Sequence, residues 1–325
     1  MFITVLMCVY NSAQFLEKAI LSILNQTYKE FEFLIVDDGS TDGSIDICKR
    51  YAAVDSRIVI IKNERNLGLA ASLNKGIEQA KGQYIARQDA DDCSSSNRLE
   101  IQLNYALENK QIEVIGSDCF VTDIADRIVF LDDSFSKIKE HRHTLLNRKA
   151  IFPHGSAFLR KEKLLEAGLY DPRFYYVQDA ELWLRLIKHE ARIHVINQPL
   201  YFYRTGPVAT RKRAHAKALF NKVLQMIYAE NKDPAFISRE LEKIQAYLKN
   251  AGSKKHSHYM ANYWKSLGNA AYFNKWDIKT ALMYISKAVR ESNSFINYFK
   301  YFILSLIYVF PPGLIKTMLR FRREV

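Results

Sequence analysis

GQYIARQDADD, residues 82–92, begins as an apolar run and ends on three carboxylates within four residues, Asp89, Asp91 and Asp92. A short apolar run entered from a glycine predicts a strand, here over 83–88. The carboxylates then stand at its carboxyl end as an anionic, oxygen-rich cup suited to Mg²⁺ or Mn²⁺ and a diphosphate. The plainer reading is an acidic turn capping the next helix, which starts near Asn97 and carries Leu99, Leu103, Ala106 and Leu107 on one face. The segments on either side decide between the two.

Upstream, residues 2–9 form an apolar run that predicts a strand, and Ser12 is a candidate cap for the helix behind it. Leu16, Ala19, Ile20, Ile23 and Leu24 recur at helical spacing, with the helix ending near Gln26. The run 31–36 stops at Asp37, Asp38 and Gly39, and the alternation continues with a helix over 44–53, a strand over 57–62 and a helix over 69–80. Strands alternating with helices predict a parallel, doubly wound sheet whose ligands bind beyond the carboxyl ends of its strands. Two of those ends carry VDDGS and RQDADD.

Downstream, 113–117 and 127–131 predict strands, 132–148 a polar loop or short helix, and 152–158 a turn leading into a strand. A helix is expected over 180–189, with Asp179 at its start; from pattern alone Asp179 is an N-cap. RTGPVATRKRAHAK, residues 204–217, forms a basic junction before a largely helical remainder. The expected divisions are 1–210, 211–292 and 293–325. Residues 264–288 loosely echo a tetratricopeptide unit, for which an ordinary helical hairpin is the simpler account.

The 325 residues are 48% hydrophobic and 13% aromatic, which supports a substantial core and excludes a disordered chain. Net charge is +12, but residues 201–325 hold 22 Lys and Arg against 7 Asp and Glu, while residues 1–200 are slightly acidic. Four cysteines without CxxC spacing read as reduced thiols without structural zinc. Residues 296–310 are apolar and aromatic, shorter than the roughly 20 residues that span a bilayer, and a basic tail follows. This combination suits an interfacial helix at an anionic membrane surface, with a core helix as the alternative.

Six pieces, in order, resemble the family 2 inverting glycosyltransferases: CVYN (8–11), VDDGSTDGS (36–44), NLGLAASLNKGI (66–77), GQYIARQDADD (82–92), HGS (154–156) and QDAELWLRL (178–186). The resemblance implies an α/β architecture of the GT-A type, a doubly wound mixed sheet, with a C-terminal helical region. It implies that Val9 and Tyr10 line the nucleotide base, that Asp38 hydrogen-bonds the base, and that Gly39 and Gly68 let backbone approach the nucleotide. Asp89 would lie near the ribose and diphosphate, and Asp91 would ligate Mn²⁺ or Mg²⁺. Asp179 matches the base that deprotonates the acceptor hydroxyl, though Gln178 stands where the family more often has Glu. His154, Trp183 and Arg204 are the candidate acceptor contacts.

The partners that the resemblance implies are a nucleotide-sugar donor, UDP-linked, a lipid-linked oligosaccharide acceptor in surface polysaccharide synthesis, and the inner face of the cell membrane, where the protein would be peripheral. Association with a second copy is compatible with this reading, and nucleic acid is not an expected partner. A sugar-nucleotide pyrophosphorylase is disfavoured because CVYNSAQ stands where a glycine-rich phosphate loop would follow the first strand. A dinucleotide-dependent oxidoreductase fails on the same absence. A scaffold without turnover would not need Asp38, Asp91 and Asp179 together.

Overall fold

The computed structural model describes residues 2–206, 211–250, 259–275, 277–291, 304, 305 and 308. The chain divides into two compact units, one of Met1–Cys119, Asp132–Tyr203 and Arg213–Asn250, the other of Phe120–Leu131, Arg204–Lys212 and Ala251–Val325. The change of composition near residue 210 therefore differs from the division in space. Residues 213–250 belong with the first unit, because their apolar face supplies part of its core.

The first four strands, β1 (Ile3–Val9), β2 (Phe31–Asp37), β3 (Ile58–Lys62) and β4 (Tyr84–Asp89), are joined through α1 (Ala13–Leu24), α2 (Ser44–Ala52) and α3 (Leu69–Gln79). They lie parallel in the order β3-β2-β1-β4, as the alternation predicts. Ser12 stands at the α1 N-cap, but its hydroxyl donates to Tyr10 O instead of capping the helix.

After β4 come β5 (Cys93–Ser94), α4 (Arg98–Glu108), β6 (Val114–Thr122), β7 (Ile128–Asp132), α5 (His141–Leu146), a 3₁₀ turn (His154–Ser156), β8 (Phe158–Arg160), α6 (Lys161–Glu166), α7 (Gln178–Lys188) and β9 (Ile193–Arg204). Among the described residues the sheet has nine strands and runs on from β4 through β8, β6 and β9 to β5, with β7 on β6. Strand β8 is antiparallel to both β4 and β6, and β5 to β9, so the sheet is mixed rather than wholly parallel. The helices α8 (Arg211–Tyr228) and α9 (Pro234–Asn250) complete the first unit's fold.

Side chains alternate across a strand, so each strand feeds two cores. Ile3, Val5, Met7 and Val9 of β1 pack with α1 and with Leu99, Leu103 and Ala106 of α4. Leu6, Leu34, Val36 and Ile85 face the other way, onto Leu73 and Ile77 of α3, Leu182 and Trp183 of α7, Phe220 and Leu224 of α8, and Leu241 of α9. Burial on both faces explains why the sequence of these strands is a continuous apolar run.

In the second unit, α10 (Tyr259–Lys275) and α11 (Ile278–Arg290) form a helical hairpin around Trp264, Leu267, Tyr272, Ala281, Tyr284 and Ala288. Asp277 caps α11 by accepting from Thr280 N at 2.9 Å. The apolar segment and basic tail expected over 293–325 lie outside the described residues apart from 304, 305 and 308.

Candidate active site

The centre of the first unit's polar cluster is an arginine inside a buried strand. Arg87 and Asp89 are two apart on β4 and so share a face; Arg87 is 1% exposed and ion-paired with Asp89. Burial, the largest single influence, disfavours the guanidinium charge, but Asp89 beside it together with Tyr201, Cys8 and Tyr170 outweighs this, and the cation stays firmly ionised. Tyr201 of β9, wholly buried, accepts from Asp89 N at 3.1 Å. Beneath them Arg98, also wholly buried, donates to Arg87 O at 2.8 Å, Ser94 Oγ at 2.9 Å and Gln102 Oε1 at 2.9 Å, with its guanidinium 5.2 Å from the Tyr201 ring. Burial pulls the Arg98 pKa down to about 10.

The 3₁₀ turn packs on this floor. A Cβ on Gly155 would fall inside the contact radius of the Tyr201 hydroxyl and 2.8 Å from Asp89 Oδ2, so only glycine lets the turn approach so closely. His154 pairs through Nε2 with Tyr170 Oη at 2.8 Å. Burial, with Arg87 nearby, lowers the His154 pKa well below its ordinary value and keeps the ring neutral.

At the end of β2, Asp38 is 3% exposed and shapes the loop before α3. Its Oδ1 accepts from Asn63 Nδ2 at 2.9 Å and Leu67 N at 2.8 Å, and its Oδ2 from Gly68 N at 2.9 Å. The Asp38 carboxylate is thus engaged with the chain's own loop, and Oδ2 retains room for one more donor. Gly39, at φ +75°, sits where a Cβ would come 2.8 Å from Arg65 C. Tyr10 is 48% exposed at the end of β1, whereas Val9 is wholly buried. Strand alternation turns the Val9 side chain into the core with Ile3, Val5 and Met7, which leaves its backbone as the part of Val9 able to meet a base.

Asp179 is the second residue of α7, and Val177 is the N-cap, so Asp179 is not the cap that its pattern suggested. Burial raises its pKa; the Ala180 amide, Lys217 and Arg87 oppose the rise. Arg87 therefore acts electrostatically on Asp89, His154, Tyr170 and Asp179 together.

Two of the expected acceptor contacts, Trp183 and Arg204, have buried side chains in this structure. Trp183 is 1% exposed in the core, 5.3 Å from the Phe152 ring and edge-on to His154 at 6.0 Å, so it supports the histidine and offers no face to a ligand. Arg204 is 5% exposed and belongs to the second unit, where it pairs with Asp126 and donates to Asp123 O at 3.3 Å. Arg204→Met is expected to destabilise the fold by about 2 kcal/mol by breaking charge-assisted hydrogen bonds. Thermal melting should register that loss, with kcat/KM of the folded enzyme unchanged.

Arg87, Arg98, Tyr170 and Tyr201 are site residues that motif reading passed over. The signal for Arg87 was present: a cation inside the apolar run YIARQD needs a partner on its own face, and Asp89 is two residues on. Among the described residues, no three His, Cys, Asp or Glu side chains gather as a ready-made metal cage. Asp91 is exposed and Asp89 half-buried. That donor set fits Mg²⁺ or Mn²⁺, which take one or two protein carboxylates together with substrate phosphate oxygens.

Comparison with known proteins bears on family and fold. The model of glycosyl transferase family 2 matches residues 4–168, just over half of the chain. The putative glycosyltransferase EpsE of Bacillus subtilis is 33% identical over 226 residues, covering 68% of this chain and 80% of that protein. Among solved structures, S. aureus TarS 1-349 in complex with UDP superposes with a TM-score of 0.55 at 15% identity, covering 90% of this chain and 89% of that one. The mannosyltransferase PcManGT from Pyrobaculum calidifontis, in complex with GDP-Man and Mn²⁺, gives 0.54 at 16% identity, covering 97% and 83%. At these identities the two structures establish the fold, and the match of residues 4–168 establishes the lineage: the chain is a GT-A-fold protein that belongs to glycosyl transferase family 2.

Proposed function

We propose that the chain moves a sugar, with inversion, from a nucleotide-diphosphate donor, a UDP-sugar, to a hydroxyl of a lipid-linked glycan of surface polysaccharide synthesis. The observation that supports this best is that one buried cation, Arg87, acts on both Asp89 at the end of β4 and Asp179 at the start of α7. A donor-side carboxylate and a candidate base thus lie within the field of one buried guanidinium.

In this reading Asp179 takes the proton of the acceptor hydroxyl as that oxygen attacks the anomeric carbon, and the bond to the diphosphate oxygen breaks on the opposite face. One carboxylate acting as base, with direct displacement, inverts the anomeric centre. The raised Asp179 pKa strengthens it as a base and requires a pH above that value for activity. Asp91, with Asp89 beside it, would hold a divalent cation, which when bound offsets charge on the departing diphosphate as a Lewis acid. His154, kept neutral, donates to or accepts from Tyr170 and fixes the turn over Asp89. The TarS complex with UDP and the PcManGT complex with GDP-Man and Mn²⁺ support a nucleotide-sugar donor and a cation.

The acceptor reading rests on the basic excess of residues 201–325 and the apolar stretch at 296–310, which suit an anionic membrane surface. No described helix is long and apolar enough to cross a membrane. The test is nucleotide release from a panel of UDP-, dTDP- and GDP-sugars with Mn²⁺, Mg²⁺ or EDTA. Release from one donor is expected, abolished by EDTA and lowered about 10²-fold or more in Asp91→Ala. Release unaffected by EDTA would remove the cation from the account, and failure of every donor would overturn the transferase reading.

A further inference from the structure

Three consecutive aromatics, Phe174, Tyr175 and Tyr176, lie just before α7. Phe174 is buried with its ring 6.0 Å from Phe220 of α8, and Tyr176 is half-buried with its ring 6.5 Å from the same Phe220. Tyr175 between them turns outward and is 53% exposed. Its ring meets that of Tyr176 at 4.8 Å and 86°. The start of the segment is tied to α3 by a reciprocal pair: Asn74 Nδ2 donates to Tyr170 O at 2.8 Å, and Tyr170 N donates to Asn74 Oδ1 at 2.9 Å. An exposed tyrosine is ordinarily mobile, but here its flanking residues are anchored on both sides, so the ring is presented in a fixed place.

That place is the loop which Asp38 shapes. The edge of the Tyr175 ring, Cε2 and Cδ2, lies 3.5 and 3.9 Å from where a Gly68 Cβ would be, and Gly68 N is the group that donates to Asp38 Oδ2. Tyr175, beside Gly68, is exposed over about half of its surface (53%), four residues before Asp179. A flat, pre-positioned π-face next to backbone organised by a carboxylate is suited to a flat aromatic ligand.

We propose that Tyr175 is a donor-binding residue whose ring stacks on the nucleobase of the nucleoside diphosphate. The proposal deepens the transferase reading and rests on it. The acceptor sugar is the competing occupant, since Asp179 follows closely in the chain. The nucleobase is favoured because the ring lies beside Gly68, whose amide is bonded to Asp38.

Calorimetric titration of UDP, dTDP and GDP in the presence of Mn²⁺, into the full chain and its Tyr175 variants, tests this. Tyr175→Ala is expected to weaken the preferred nucleotide about tenfold, the usual scale for losing one base-on-aromatic stack. Tyr175→Phe and Tyr175→Trp, which keep the flat ring, should stay within about twofold of wild type. An unchanged Kd in Tyr175→Ala overturns the proposal, and a raised acceptor KM alongside it would assign the ring to the acceptor. Equal losses in the Ala, Phe and Trp variants also overturn it, because they would implicate the hydroxyl or the local fold instead of the ring face. Wild type binding none of the three nucleotides is a different failure, that of the transferase reading itself.

Discussion

Asp179→Asn is expected to lower transfer about 10³-fold while leaving nucleotide affinity unchanged, because it removes the proton acceptor and keeps the shape. The same change should leave the protein at least as stable as wild type at neutral pH. Burial raises the Asp179 pKa, so the folded chain holds that proton more tightly than the unfolded chain does. The stability contributed by this group is therefore present below the unfolded pKa, is lost as pH rises through the folded one, and stays lost above it. Asn carries no charge to desolvate and escapes that cost. Melting temperature and single-turnover rate, measured on one preparation, check both halves. In wild type the acid limb of the rate profile should lie above that of an ordinary aspartate; the Ala180 amide, Lys217 and Arg87, which oppose the rise, limit how far. A variant that lost activity and melted several degrees lower would show Asp179 to be structural.

Gly155→Ala is expected to cost about 3 kcal/mol of stability and at least about tenfold in donor affinity, the upper end for adding one methyl group to a closed site. The new Cβ would enter the space of the Tyr201 hydroxyl and come 2.8 Å from Asp89 Oδ2. Tyr201 cannot retreat, being wholly buried, bonded to Asp89 N at 3.1 Å and set over the Arg98 guanidinium. What yields must be Asp89 or the His154 turn, and either shift disturbs the donor side. Adding Tyr201→Phe removes the nearest of the atoms in the way, although the ring Cζ would still stand inside the contact radius of the new Cβ, so it should restore a part of both losses, a non-additivity that a double-mutant cycle measures. Wild-type stability and affinity in Gly155→Ala alone would mean that the turn does not rest on Asp89.

The half of the fold that was legible in the sequence is the half made by local alternation. The runs at 2–9, 31–36, 57–62 and 83–88 became β1 to β4 because parallel strands buried on both faces must be continuously apolar. The other half depends on pairing between distant segments. Strand β8 has three residues, β5 has two, and β9 carries Pro199 within it, so none bears a period that a window could detect. Helices α8 and α9 were assigned elsewhere because basic composition marks a change of surface, whereas Phe220, Val223, Leu224 and Leu241 decide which core they join.

The site divides in the same way. Asp38, Asp89, Asp91 and Asp179 were singled out because carboxylates at strand ends and helix starts form short patterns, to which the family resemblance attached roles. Arg87, Tyr170 and Tyr201 support them from below and come from three separate segments, with only Arg87 leaving a local trace. Val9, Trp183 and Arg204 turn out to have buried side chains, because a residue type suited to a ligand is equally suited to a core or an internal ion pair. Burial separated these uses.

Direct displacement assisted by one base is the account's central claim, and the configuration of the released sugar tests it most directly. With the nucleotide sugar that the panel selects and water as acceptor, proton NMR taken before mutarotation reads the anomer first formed. An α-configured donor should yield the β-sugar first; an α-sugar appearing first would contradict displacement by a single base and require a covalent or front-face route.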